Sequence, residues 1–482
     1  MASIKRNYIF HLVNVLGGLI FPLITFPYTS RVLMADGLGK VNFYQSIIFY
    51  ITLIAALGIP SYAVREIARV RDDRRRCAVT AVEVLLLHGS FTLLGYLVVG
   101  ILVIFVPRIA QGSVLFLLLS SSMALSVIGA GWFYHAVEDF KYVTIRTTII
   151  RFLLLVALFL FVHKKEDLVI YAIIHMLGET GGNLFNFFRL RKYLRGTHIS
   201  LHELHPLKHL KPSLQLFVLN IIVSIYISLD SVMLGFINND TAVGYYTPPL
   251  RLARASIGIV GALGTVLFPR FANMAINKRM DEFNALAEKA IGFVISLSLP
   301  MMVGLIALAP AAIHLYSGSN YEPSILTLQL LAPIIPAITL SGIIGMQILY
   351  SQGKEKIVIR ATAVGAIANF TLNLCLLPHY AQWGAAFSTS VAEGSVALMC
   401  IILGRRYFCF SFRAQRNINY FIGTAFLILW LFLLNRLIHD DLFLILTAVP
   451  SSVVIYFGFL YLRGDRFVLQ LISICRRWRE FL

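Results

Sequence analysis

The sequence predicts an all-α, polytopic membrane protein with about fourteen transmembrane helices. Composition, the recurrence of apolar runs and the distribution of basic residues predict it. The 482 residues are 58% hydrophobic and only 13% charged, with mean hydropathy +0.80. Soluble domains carry about 25% charged residues. A soluble chain of this length would divide into two or three domains joined by polar linkers, and none is visible. Apolar runs of about twenty residues recur from end to end instead, each long enough to cross a hydrocarbon core about 30 Å thick. The 12% aromatic content suits rings placed at lipid interfaces. A membrane β-barrel is excluded, because its strands alternate apolar and polar residues.

The runs fall at 8–29, 41–60, 79–106, 113–134, 145–162, 168–188, 213–236, 247–269, 291–309, 324–350, 357–377, 383–403, 420–435 and 442–462. With the N-terminus inside, the outside loops hold only Arg31, Lys40, Arg108, Lys164, Lys165 and Arg436. Arg151, Arg251 and Arg254 fall within spans, and the remaining 32 of the 41 Lys and Arg lie on inside segments. That asymmetry is the positive-inside pattern. One missed helix would scramble every later loop, so an even count with both termini cytoplasmic is expected. The net charge of +18 is then mostly a topology signal, and no basic domain suggests nucleic acid. Arg74-Arg75-Arg76 is placed to touch anionic lipid heads.

Lys5-Arg6 before an apolar stretch resembles a secretory signal, but the stretch is long and no small-x-small cleavage site follows it cleanly. It reads as an uncleaved first helix. Cys77, Cys409 and Cys475 fall on the inside and Cys375 and Cys400 within spans, so no disulfide is expected. Gly353-Lys354-Glu355 lacks the Ser or Thr and the leading Gly of a nucleotide-binding loop. His202-Glu203-Leu204-His205, with His209 nearby, has the wrong spacing for a zinc helix and reads as a solvated loop. Asn239-Asp240-Thr241 matches a glycosylation sequon, a triplet that also arises by chance. No cofactor, metal or catalytic residue is expected, and the longest inter-span stretch is too short to fold a catalytic domain.

The chain repeats itself. Ser30-Arg31-Val32-Leu33-Met34, then Leu38-Gly39-Lys40-Val41-Asn42-Phe43 and a helix ending at Pro60, is echoed further on. The echo is Asp230-Ser231-Val232-Met233-Leu234-Gly235, then Val243-Gly244-Tyr245-Tyr246 and a helix ending at Pro269-Arg270. The offset is about 205 residues, or six spans. An even number of spans keeps both copies in the same orientation, which predicts a pseudo-twofold axis along the membrane normal with the transport path between the copies. Spans thirteen and fourteen lie outside the repeat.

Helix breakers mark the corresponding ends. Pro22 and Pro27 interrupt the first helix, Pro248-Pro249 open the eighth, and Pro333 and Pro336 interrupt the tenth. Interrupted helices point to a substrate path and to gating, and ordinary kinking is the competing reading. Charges within spans cost on the order of 2.5–3.5 kcal/mol at the bilayer centre and are functional candidates by default. Asp230 and Arg251 lie at matching distances before and after the outer turn near Thr241, about 15 Å deep. Arg254 shares the face of Arg251. One carboxylate pairs with one arginine, in a structural ion pair or as a charge-tuning or coupling-ion group. At least one positive charge is then left for an anionic substrate. Arg151, Glu179 and Glu393 are weaker candidates, each close enough to a helix end to snorkel or able to pair within a lobe.

The chain resembles the polysaccharide (O-antigen) flippase family of the multidrug/oligosaccharidyl-lipid/polysaccharide exporter superfamily. The resemblance rests on Tyr28-Thr29-Ser30-Arg31-Val32-Leu33, Gly37-Leu38-Gly39-Lys40-Val41-Asn42-Phe43 and Gly58-Ile59-Pro60-Ser61-Tyr62. It continues in Leu229-Asp230-Ser231-Val232-Met233-Leu234-Gly235, Leu267-Phe268-Pro269-Arg270 and Gln347-Ile348-Leu349-Tyr350-Ser351-Gln352-Gly353-Lys354-Glu355, covering about residues 5–405. Met34 departs from the family's usual Gly, and Pro248-Pro249 replace its usual small residues. The resemblance implies two six-helix lobes, here residues 1–210 and 211–405, with 406–482 holding helices thirteen and fourteen and a cytoplasmic tail. It implies a cationic cavity, alternating access without ATP, and an undecaprenyl-pyrophosphate-linked oligosaccharide as substrate. The setting it implies is the inner (cytoplasmic) membrane, with membrane lipids, a coupling H⁺ or Na⁺, and the polysaccharide polymerase machinery as partners.

Arg31, Arg251 and Arg254 are the expected pyrophosphate ligands, since Arg binds phosphate oxygens bidentately, with Asp230 as the coupling or pairing group. A drug/cation antiporter of the same superfamily is the alternative, although such a pump needs acidic groups where this chain offers basic ones. A membrane polymerase or glycosyltransferase would need a large outside loop or an acidic catalytic motif, and neither is visible.

Overall fold

The structure, a computed structural model, describes residues 4–465 apart from 196, 198, 225–227 and 411–414, together with 468–469. Cys475 and the basic residues of the C-terminal tail lie outside the described residues. All regular structure among the described residues is helical. Ten helical stretches there are long and apolar enough to cross a membrane. The chain divides into two compact units, Met1–Gly244 and Tyr245–Leu482.

The first unit opens with α1 (Ile4–Ala56), broken at Met34, where φ is 58° and ψ −179°. A straight helix of 53 residues would be about 80 Å long, more than twice a hydrocarbon core of about 30 Å. The break at Met34 is therefore where the first span ends and the second begins. A side chain in this backbone region is strained by on the order of 1–3 kcal/mol. The neighbours Leu33 and Ala35, 2% and 5% exposed, hold it in place.

The second span ends at Ala56, earlier than Pro60, because Pro60 sits in the first turn of a separate helix, α2 (Ile59–Val70). A proline is tolerated there, since its missing N–H would be unpaired anyway. In α2 the buried residues Ile59, Tyr62, Ala63 and Ile67 share one face, while Arg65 and Arg69 are exposed. That is the pattern of an amphipathic helix. α3 (Arg74–Phe105) is capped by Asp73, whose carboxylate accepts from the backbone N–H groups of Arg75 and Arg76. α4 (Pro107–Ala110), α5 (Ser113–Gly129) and α6 (Gly131–Ala136) follow. Then come α7 (Phe140–Phe161), α8 (Leu168–Thr180), α9 (Gly182–Leu194), α10 (Leu210–Ser224) and α11 (Leu229–Ile237).

The core where α2, α3 and α6 meet contains Ile59, Ile67, Val84, Leu87, Trp132 and Phe133. Outward-facing side chains are apolar as well: Phe152 of α7 is 64% exposed and Phe105 of α3 73%. A continuous exposed apolar surface of this kind fits contact with lipid.

α12 (Asp240–Ile276) begins seven residues before the expected start at 247, so Pro248 and Pro249 lie inside it. The second unit continues with α13 (Met280–Ala307), α14 (Ala309–Ser317), α15 (Pro323–Leu331) and α16 (Ile334–Ser341). A π-helical segment, Gly342–Leu349, precedes α17 (Glu355–Gly404), which is broken at Ala381 (φ 43°) and so supplies two spans. α18 (Gln415–Leu437) and α19 (Asp441–Leu462) complete it. The central core gathers Phe271, Phe283, Ile291, Ile348, Tyr420 and Tyr456. α18 and α19 pack through Leu427, Leu431 and Ala448 against Val303, Leu308 and Ala311 of α13 and α14.

The prolines behave differently from one another. α1 stays helical through Pro22 and Pro27, and its break falls instead at Met34. Side chains nearby bond helix carbonyls: Thr25 donates to that of Phe21 at 3.0 Å, and Ser30 and Arg31 donate to that of Pro27. Pro333 does accompany a real interruption, between α15 and α16.

Candidate functional site

In the first unit the turn after Met34 packs against the turn joining α11 to α12. A Cβ on Gly39 would overlap the Asp240 carbonyl oxygen, and one on Gly244 would overlap that of Ala35. Only glycine fits at either place. The two contacts are reciprocal, because Ala35 and Asp240 stand 205 positions apart, as do Gly39 and Gly244. Thr241 Oγ1 donates to Asp36 Oδ1 at 3.4 Å across the same offset.

Arg108 fastens this contact. Its guanidinium bonds Asp240 at 2.8 Å and the Asn238 carbonyl at 3.3 Å, and lies 4.9 Å from the ring centre of Phe43. Tyr44 donates to the Arg108 carbonyl at 3.3 Å. The sequence marks Arg108 only as a loop cation.

At the opposite end of α3 lies a second cluster that the sequence does not flag. The Glu83 side chain is fully buried. Its Oε1 accepts from the His205 N–H at 2.8 Å and from Lys208 Nζ at 2.9 Å, and its Oε2 accepts from His209 Nε2 at 3.0 Å. With Nε2–H donating, the Nδ1 of a neutral His209 accepts from the Tyr62 hydroxyl at 2.6 Å. The segment read as a solvated loop therefore has its last histidine buried, 2% exposed, and serves as a lid over a carboxylate. Among the described residues no group of His, Cys, Asp and Glu could hold a metal.

Removing Glu83 leaves the His205 N–H and the buried His209 Nε2 without their acceptor, at about 1–3 kcal/mol for each buried donor. Glu83→Ala should therefore sharply reduce the yield of monodisperse protein and lower its unfolding temperature in detergent. Glu83→Gln, which keeps an acceptor for His205, should lose less. An unchanged melting curve for Glu83→Ala would show that the cluster carries no stability.

The expected site residues are distributed as follows. Arg31 is exposed on the first half of α1. Asp230 is in the first turn of α11 and 6% exposed. Its charge acts on Tyr50, whose hydroxyl also bonds the Ser228 backbone. These belong to the first unit, and Arg251 and Arg254 to the second. Arg251 is half-buried on α12 and hydrogen-bonds the Tyr316 hydroxyl of α14. Arg254, about one turn on, is exposed, while Ala253 between them is fully buried. Tyr316 was not legible, since nothing near it in the chain announces an arginine.

Arg151 donates to the Asn14 carbonyl at 3.1 Å and Glu179 is exposed. Glu393 is 6% exposed in the middle of the second half of α17, not snorkelling at its end. On the same helix Asn369 and Asn373 are buried and bond each other at 3.3 Å, and Thr389 meets Tyr246 at 3.2 Å.

This arrangement has known counterparts. The family model described as "Polysaccharide biosynthesis protein" matches residues 4–275, more than half of the chain. A putative O-antigen transporter of Shigella dysenteriae is 24% identical over 388 residues, covering 79% of this chain and 95% of the relative. A putative O-antigen transporter of Escherichia coli (strain K12) is 20% identical over 407 residues, covering 84% and 97%. Among solved structures, the lipid II flippase MurJ in an inward closed conformation superposes with a TM-score of 0.73 at 16% identity, covering 96% of this chain and all of that one. An inward-facing multidrug resistance MATE family transporter of the MOP superfamily gives 0.62 at 13% identity, covering 80% and 94%. The chain is thus a multi-pass membrane protein that belongs to the polysaccharide biosynthesis protein family and has the fold of the MOP superfamily.

Proposed function

We propose that the protein is a flippase that carries an undecaprenyl-pyrophosphate-linked oligosaccharide from the inner to the outer leaflet of the cytoplasmic membrane by alternating access. The family match over residues 4–275 carries this reading, supported by O-antigen transporter relatives aligned over nearly their whole length. The chemistry agrees. Arg251 and Arg254 are placed a turn apart on α12, and arginine forks match phosphate oxygens. In this reading Arg31, Arg251 and Arg254 hold the pyrophosphate and Asp230 tunes them. Moving about two negative charges out of a negative interior gains roughly 5 kcal/mol per 100 mV. Returning the empty carrier with bare arginines then calls for a counter-ion, H⁺ or Na⁺, on a carboxylate such as Asp230 or Glu393.

Cells lacking the protein should accumulate the lipid-linked glycan on the inner leaflet, and mass spectrometry of that lipid would identify the repeat unit. Unaltered glycan lipids would reject the reading. A drug/cation antiporter has one observation in its favour, the buried carboxylates Asp230 and Glu393. Drug sensitivity in the same cells, with glycan lipids unchanged, would favour it.

The orientation has its own test. In a background without native cysteines, single cysteines at the exposed positions Asn239, Ser319 and Tyr380 should react with an impermeant thiol reagent from outside, and one at Arg74 should not. Labelling at Arg74 in intact cells would invert the topology.

A further inference from the structure

The first unit has a charged recess at the end of the helix bundle where α3 begins and α9 ends. It encloses about 690 Å³ and is walled by Arg71, Arg74, Arg189, Lys192, Asp72 and Glu138, with the Phe133 and Tyr193 rings beside them. Its charges are partly matched. Arg71 bonds Glu138 at 2.8 Å, and Arg189 bonds Asp139 at 2.6 Å while lying 4.1 Å from the Tyr142 ring centre. Those two arginines are fixed framework. Arg74 donates to the Arg195 carbonyl at 2.8 Å and has no carboxylate partner among the described residues. Lys192, in the last turn of α9, likewise has none among the described residues. The recess alone thus has four cations and two carboxylates, an excess of positive charge.

A second, apolar hollow of about 520 Å³ adjoins the recess and shares Arg189 with it. It runs beside α7 and α9 along Ile145, Ile149, Ile150 and Phe185, with Lys141 and Arg146 lining it as well. Ile145, Ile149 and Phe185 are 43%, 54% and 58% exposed, on the membrane-facing surface. A polar, cationic pocket that opens onto an apolar groove is amphipathic in the same sense as a phospholipid.

The geometry points to a binding site for one anionic phospholipid, its phosphodiester held by Arg74 and Lys192 and one acyl chain laid in the Ile145–Ile149–Phe185 groove. The negative charge of a phosphodiester offsets part of this excess. A zwitterionic head group brings its own cation and leaves the excess in place. None of Arg31, Arg251 and Arg254 lines either hollow, so the site is separate from the proposed substrate ligands and does not rest on the flippase reading.

Native mass spectrometry of the full-length protein in detergent, titrated with phosphatidylglycerol, tests this. One tight lipid adduct is expected, and phosphatidylcholine should form it far more weakly. The Arg74→Gln/Lys192→Gln double variant should bind phosphatidylglycerol roughly thirtyfold more weakly, at about fivefold per surface cation. Both side chains are exposed, so folding should be retained, as monodisperse elution would verify. Arg76→Gln, whose side chain is 79% exposed and outside the recess, should bind as the native protein does. An equal loss in Arg76→Gln would reduce the effect to diffuse surface charge and overturn the site. Equal competition by glycerophosphoglycerol, the head group without chains, would overturn the groove. Displacement of phosphatidylglycerol by an equimolar polyprenyl diphosphate would overturn the phospholipid assignment.

Discussion

Replacing Arg251 or Arg254 by alanine is expected to abolish glycan export while the protein still inserts and accumulates. The two guanidiniums stand three residues apart on α12, on either side of the fully buried Ala253. Keeping a cation at membrane depth costs on the order of 2.5–3.5 kcal/mol on insertion scales, so an arginine without a task there would be a net liability. Lysine at either position keeps the charge but loses the planar fork and should rescue export only in part. Tyr316 separates binding from positioning. Because its hydroxyl bonds Arg251, Tyr316→Phe should weaken export several-fold without abolishing it, leaving Arg254→Ala as the more severe lesion. Export rates in cells, normalised to the amount of membrane-inserted protein, provide the measurement. Full export by the Arg251→Ala/Arg254→Ala double variant would eliminate both arginines as substrate ligands. Loss of the protein from the membrane in the alanine variants would instead assign them a structural role.

The fold was legible wherever the signal is local. Continuous apolar runs mark membrane helices because the bilayer forces every backbone group to pair within its own segment, and each expected span is largely helical where the backbone is described, with turns inside several of them. Prolines misled because their effect depends on neighbours. The helix runs on through Pro22 and Pro27, whereas the turn forms at Met34, a residue with no turn propensity.

The clusters were illegible for a different reason. Glu83 meets His209 126 residues away, and Arg108 meets Asp240 132 residues away. No local pattern encodes such pairings, so Glu83 drew no notice near the start of a span and Arg108 read only as a loop cation. Arg251 and Arg254 were visible because a charge in an apolar run needs no partner to be conspicuous. The repeat likewise exposed Gly39 and Gly244 as related positions, but not that each sits against the other copy's backbone.

That close approach yields the other large expected effect. Gly39→Ala and Gly244→Ala each drive a methyl group into a backbone carbonyl, of Asp240 and Ala35 respectively. Ordinary overpacking costs about 1–3 kcal/mol because side chains give way. Here the obstacle is backbone, anchored on one side by the Arg108–Asp240 pair at 2.8 Å, so the two turns must separate. Each variant should lose most of its export, and a cysteine at Thr241 should become more reactive from outside. The converse experiment joins the turns. The Asp36 and Thr241 side chains meet at 3.4 Å, so Asp36→Cys/Thr241→Cys should close a disulfide under mild oxidant. If the turns part during each transport cycle, as alternating access requires, the oxidised protein should stop exporting and recover when reduced, while either single cysteine stays active throughout. Undiminished export with the crosslink shown intact on a gel would establish that this contact is permanent, and the opening would then have to occur elsewhere in the chain.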